Sequence, residues 1–128
     1  MLSPTGLPLL DHVSFAVERG EIVAVAGVQG NGQTELAQTI LGLATPNSGE
    51  ILLEGIDITH AGPRKSLDAG IGFIPEDRST DGIISSFSIA ENLVLDQYKD
   101  SRFAAGPMLK LGIIAQNARA KEEEFDIR

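Results

Sequence analysis

The chain has 128 residues, enough to bury a real core as one domain or a piece of one. Its 42% hydrophobic and 22% charged content is ordinary for a soluble globular protein, and a formal net charge of −8 with a pI near 4.6 argues against a nucleic-acid surface, which needs clustered Lys and Arg. The absence of cysteine excludes a disulfide framework or thiolate metal site and suits the cytosol, while the longest apolar stretches, such as Ile22–Val28, fall far short of the roughly 20 residues of a membrane helix.

Residues 1–8, with Pro4, Gly6 and Pro8, read as an irregular lead-in, and Met1-Leu2-Ser3-Pro4 opens no secretion signal. From His12 to Glu18 the chain alternates: Val13, Phe15 and Val17 point one way, Ser14, Ala16 and Glu18 the other. That period of two predicts a half-buried strand. Arg19-Gly20 turns into Glu21–Ala26, so the two strands are expected to form an antiparallel hairpin, with Ile22–Ala26 as a buried strand.

Next comes Ala26-Gly27-Val28-Gln29-Gly30-Asn31-Gly32-Gln33-Thr34-Glu35-Leu36, with three glycines at a strand-to-helix turn. A loop that wraps a di- or triphosphate must aim successive backbone N–H groups inward, through angles and approaches that a Cβ would block. Gly27, Gly30 and Gly32 supply them, the helix that follows adds the positive end of its dipole, and Thr34 sits where a hydroxyl can ligate Mg²⁺. The pattern G-x-x-x-x-G-K-[ST] is met at Gly27, Gly32 and Thr34, but its lysine is replaced by Gln33, which can hydrogen-bond phosphate without charge. A glycine-rich turn kept for packing alone is the competing reading. A dinucleotide fingerprint fits worse, because G-x-G-x-x-G from Gly30 would need glycine where Glu35 stands.

Leu36, Ile40, Leu41 and Leu43 mark one face of a helix from about Gln33 to Leu43, ended by Gly42 and Pro46. Pro46-Asn47-Ser48-Gly49 is a turn, Glu50–Gly55 a short strand that Ile56-Asp57-Ile58-Thr59 extends, and Pro63 to Ala69 a short helix with Gly70 as its stop. Ile71–Ile74 is a buried-strand candidate leading into the polar loop Pro75-Glu76-Asp77-Arg78. Ser88 and Glu91 form a capping box that opens a helix from Ile89 to about Leu95, so Leu93-Val94-Leu95-Asp96 is helix rather than a strand ending in a metal-binding acid. Lys99 to Gly112 is loop-like, and about Ile113 to Phe125 is an amphipathic helix with Glu122, Glu123 and Glu124 in solvent. His12 reads as structural and His60 as a solvated turn residue.

Together, Val13-Ser14-Phe15-x-Val17-x-x-Gly20-Glu21-Ile22, the phosphate loop, Ser48-Gly49-Glu50-Ile51 and Pro75-Glu76-Asp77-Arg78 resemble an ABC transporter ATPase domain. More narrowly, Gly30–Leu36 with Ile74-Pro75-Glu76-Asp77-Arg78 looks like the second ATPase half of the tandem ATP-binding proteins that drive import of simple sugars and nucleosides. The resemblance covers essentially the whole chain. It implies an α/β fold: a P-loop NTPase core with an antiparallel β subdomain, incomplete at the C-terminus. Within residues 1–128 it implies a phosphate loop at 27–34, a Q-loop-like segment at 74–79 and the start of a helical subdomain at 88–128. It further implies ATP and Mg²⁺ as ligands, nucleotide contacts from Gly27, Val28, Gln29, Gly30, Asn31, Gly32, Gln33, Thr34 and Glu35, and metal contacts from Thr34 and Glu76. Its partners would be the first ATPase half and the transmembrane permease subunits, which would hold it at the inner face of the cell membrane.

Two departures change the electrostatics. Gln33 stands for lysine and Glu76 for the family's glutamine, so the pocket is two charge units more negative than the standard motif. Beside a triphosphate one close charge pair is worth on the order of 4 kcal/mol at an effective dielectric near 20, so weaker nucleotide binding with stronger Mg²⁺ dependence is expected. No aromatic precedes Phe15, where Leu7, Pro8, Leu9 and Leu10 stand, so adenine stacking should be poor. Arg128 precedes the signature, the catalytic base and the switch histidine of the family, so no catalytic residue is assigned here and the chain alone is not expected to hydrolyse ATP. Without the remaining strands of the family fold, Ile22–Ala26 is expected to seek a partner by self-association. The leading reading is an ATP-binding fragment of a sugar or nucleoside importer. The alternative is a degenerate module that docks partners with little or no ATP turnover; a soluble phosphate-loop enzyme unrelated to transport is disfavoured, because nothing builds a second-substrate pocket.

Overall fold

The computed structural model describes residues 9–127, so the lead-in at residues 1–8 lies outside the described part. The chain divides into two compact units, Met1–Phe73 and Ile74–Arg128.

In the first unit, helix α1 runs Gln33–Ile40. It stops before Leu43 because Gly42, at φ 74°, takes the left-handed position after the cap: Gly42 N–H donates to Thr39 O (3.1 Å) and Leu43 N–H to Gln38 O (2.8 Å). A Cβ at Gly42 would meet the Gly62 main chain at 2.9 Å, so the two backbones approach closely there. Strands β1 (Leu52–Leu53) and β2 (Ile56–Asp57) pair antiparallel, Leu52 with Asp57 and Leu53 with Ile56. This corrects the single extended strand predicted over 50–59. Glu54 and Gly55 both take positive φ (49° and 81°), the requirement of a tight two-residue turn that reverses the chain between them. Thr59 closes the hairpin base: its hydroxyl accepts from Ile51 N–H (2.8 Å) and donates to Asp57 Oδ1 (2.6 Å), which holds the Asp57 carboxyl below its usual range. Helix α2 (Gly62–Asp68) carries Pro63 in its first turn and ends at Gly70 in the same manner as α1. Leu41 and Ile58 are the buried apolar side chains of the first unit among the described residues, and the buried hydroxyls of Thr39 and Ser66 donate to the carbonyls of Glu35 (2.6 Å) and Gly62 (3.2 Å).

The expected hairpin over His12–Glu18 and Glu21–Ala26 does not form. Among the described residues these two segments carry no strand pairing, the turn bond from Glu21 N–H to Glu18 O (3.0 Å) is their one link between main-chain groups, and Ile22, predicted to be buried, is 95% exposed. Ile71–Ile74 likewise forms no strand, and Phe73 and Ile74 are exposed. The apolar pattern is that of strands, but a strand needs a second row of N–H and C=O groups, and none among the described residues lies against these segments.

In the second unit, Asp77 organises the loop after Pro75: its carboxylate accepts from Ser79 N–H (2.9 Å), Thr80 N–H (3.2 Å) and the Thr80 hydroxyl (2.9 Å), and a single wide helical turn follows at Arg78–Gly82. Helix α3 is short, Ile89–Asn92, and turns replace its predicted extension to Leu95. Its capping box is complete, with Ser88 N–H and hydroxyl both donating to Glu91 Oε2 (2.8 and 2.6 Å). The predicted loop over 99–112 contains a hairpin, β3 (Ala104–Ala105) against β4 (Met108–Leu109). Helix α4 spans Leu111–Phe125, with Glu122–Glu124 exposed as expected. Val94, Phe103 and Ile114 form the core of this unit, with Ala90 packed against them. Among the described residues no helix is long and apolar enough to cross a membrane.

Candidate phosphate loop

The residues predicted to bind nucleotide fall in one contiguous loop and the first turn of α1. Residues 27–32 form neither strand nor helix, and a turn bond from Asn31 N–H to Val28 O (3.2 Å) bends the chain before α1. Gly32 is the N-cap at φ 98°, with no side chain to cap the helix, and the first helical bond runs from Leu36 N–H to Gly32 O (2.8 Å). The main-chain N–H groups of Gln33, Thr34 and Glu35 therefore find no acceptor among the described residues. Thr34 is exposed beside them, and Glu35 places its acid in the same turn. Such a helix start attracts anions through its free amides and the dipole behind them. It offers no cation: position 33 is neutral, and no Lys or Arg lies between Arg19 and Arg64.

The three glycines of the loop serve different ends. Gly30 (φ 87°) and Gly32 (φ 98°) hold the left-handed backbone that only glycine takes readily, and a Cβ on Gly32 would also strike the Leu9 carbonyl at 2.7 Å. Gly27 has no such backbone demand. What a Cβ there would meet is the side-chain amide of Gln33, which folds back over the loop and donates from Nε2 to Val28 O at 3.4 Å. Composition and spacing gave no sign of this contact.

Glu76, predicted as a metal ligand, lies in the second unit, exposed in the loop beside Asp77. Asp77, which sequence reasoning passed over, is the acid with structure around it: the Thr80 hydroxyl, then the Thr80 and Ser79 amides, hold its carboxyl below the usual aspartate range. An Asp followed two and three residues later by Ser and Thr was the available signal. Among the described residues no group of three or more His, Asp or Glu side chains is placed to hold a metal ion.

A glycine-rich turn that delivers free amides at a helix start is the phosphate-binding arrangement of P-loop nucleotide-binding proteins. The sequence profile of the ABC transporter family matches residues 10–126, and the chain belongs to that family. A glucose import ATP-binding protein of Haloferax volcanii is 42% identical over 123 residues, 96% of this chain and 22% of the relative. A guanosine import ATP-binding protein of Bacillus subtilis is 40% identical over 123 residues, 96% of this chain and 24% of the relative. A ribose import ATP-binding protein of Rubrobacter xylanophilus is 41% identical over 121 residues, 94% of this chain and 24% of the relative. The chain thus spans about a quarter of the length of the curated relatives it matches. No solved structure matches it.

Proposed function

We propose that the chain is the phosphate-binding portion of the second ATPase half of an importer for simple sugars or nucleosides. In this reading Gly27–Glu35 receives the phosphates of ATP through main-chain amides, the Thr34 hydroxyl is a ligand for Mg²⁺, and the assembled halves couple nucleotide to movement of permease subunits. Those subunits would keep the protein at the cytoplasmic face of the membrane, and the first ATPase half would be its other partner. The observation that carries the reading is the set of main-chain amides at Gln33, Thr34 and Glu35 that meet no acceptor among the described residues, in a chain whose relatives are named for import of glucose, guanosine and ribose. Bound Mg²⁺ would neutralise phosphate charge that this loop, lacking lysine, leaves uncompensated.

Calorimetric titration tests it. The wild-type chain should bind Mg-ATP weakly and lose it in EDTA, and Gln33→Lys should tighten binding by about tenfold or more, since a full charge-assisted contact replaces a neutral one. Tight binding in EDTA would overturn the charge argument. A second reading, a degenerate module that docks partners, is favoured by the neutral Gln33 held back on Val28, and it predicts no binding by either protein. The exposed apolar segment Ile22–Ala26 supports self-association in either case.

A further inference from the structure

Gly27 and Gln33 are tied to each other. The Gln33 side chain starts on the first residue of α1, crosses the loop and ends over Gly27, so the loop is bridged from its last residues to its first. The seat exists only because position 27 has no Cβ. Since Gly27 does not have the positive φ of Gly30 and Gly32, its backbone would accept alanine, and the cost of alanine there falls on the Gln33 amide alone. That amide is the flexible end of a half-buried side chain, held by one long hydrogen bond, and can swing out.

We propose that Gln33 is a latch that closes the empty loop on itself, so that an incoming phosphate must displace it, and that Gly27 is the keeper in which the latch rests. Gln33 is thereby a positioning residue that lowers the affinity of the loop, and no ligand of the phosphate. The proposal rests on the phosphate-binding reading of the loop and adds to it an internal competitor. Opening the latch from either side should have one and the same effect. Gln33→Ala removes the bolt, Gly27→Ala fills the keeper and evicts the amide, and the double substitution can open nothing further.

The test is a double-mutant cycle read by Mg-ADP affinity in the wild-type chain, Gln33→Ala, Gly27→Ala and the double variant. All three variants should bind more tightly than wild type by a similar factor, roughly fivefold for the net worth of one hydrogen bond. Weaker binding by Gln33→Ala makes the amide a phosphate ligand and overturns the latch, as do effects of the two substitutions that simply add. If no protein in the cycle binds nucleotide, the phosphate-binding reading has failed, and the latch is still decided by the Gln33 side-chain NH₂ resonances. They should be shifted from the free-amide position in the wild type and return to it in Gly27→Ala; resonances that sit at the free position in both overturn it.

Discussion

Asn92 closes a ring with the main chain of Ile84: its Oδ1 accepts from Ile84 N–H at 2.8 Å and its Nδ2 donates to Ile84 O at 3.1 Å. The same Nδ2 also reaches Ser88 O at 3.0 Å and Phe87 O at 3.3 Å. One side chain on α3 thus fixes the path of the segment that precedes its helix. Asn92→Ala should destabilise the second unit by roughly 1 kcal/mol, the net worth of hydrogen bonds that water can partly replace. Asn92→Asp keeps the acceptor but sets a carboxylate oxygen against the carbonyls of Ile84, Phe87 and Ser88, and should cost at least as much as Asn92→Ala. Urea unfolding of the three proteins measures the order; an Asn92→Ala midpoint equal to wild type would count against the clamp.

The capping box makes the second unit sensitive to acid. Ser88 hydroxyl and then Ser88 N–H hold the Glu91 carboxyl below its ordinary value of 4.5. A depressed folded-state value means that the contribution is present above 4.5 and is lost as pH falls through the lower folded value. Asp77 follows the same sign from its ordinary 3.8, with the Thr80 hydroxyl as the leading cause. Unfolding midpoints followed from neutral pH downward should decline in this acid range, and Glu91→Gln should flatten the decline. Ser88→Ala should cost about 1 kcal/mol at neutral pH. An unchanged acid limb in Glu91→Gln would remove the box as its source.

At the loop, glycine substitutions should rank by physical cause. Gly32→Ala meets both a left-handed backbone and the Leu9 carbonyl at 2.7 Å, whereas Gly30→Ala meets the backbone demand alone, with open space around it. Gly30→Ala should cost roughly 1–2 kcal/mol for its left-handed residue, and Gly32→Ala more than that. Thermal unfolding gives the ranking. Equal losses would mean that the contact at Leu9 carries no weight.

Exposed apolar side chains at Ile22 and Val25, on a segment that pairs with no strand among the described residues, should make the chain associate with itself. Sedimentation should show mass rising with concentration, and Val25→Lys, which places a charge in the segment, should reduce it. A monomer at every concentration would end this expectation.

Helices were legible in the sequence because their signals are local. Ser88 and Glu91 announced α3 three residues apart, Pro63 opened α2, and Gly42 and Gly70 closed two helices through their own backbone angles. Strands depend on what lies alongside. The alternation at Val13–Val17 and the apolar run at Ile22–Ala26 were real patterns, yet no ladder forms on them. The turn at Glu54-Gly55 was missed because glutamate rarely takes a positive φ, so the pair carried half of the usual turn signal. The candidate site shows the same division. Its glycine spacing could be read along the chain, while the bond from Gln33 to Val28 depends on a side-chain path that spacing does not encode.

The crossing of Gly42 and Gly62 leaves less than a methyl group between two main chains, and the Gly42 amide itself donates to Thr39 O at 3.1 Å, so its exchange with solvent requires the end of α1 to open. Deuterium uptake at that one amide is therefore a gauge of opening in the first unit. Read with and without nucleotide, it would tell whether occupation of a loop at one end of α1 is felt at the other.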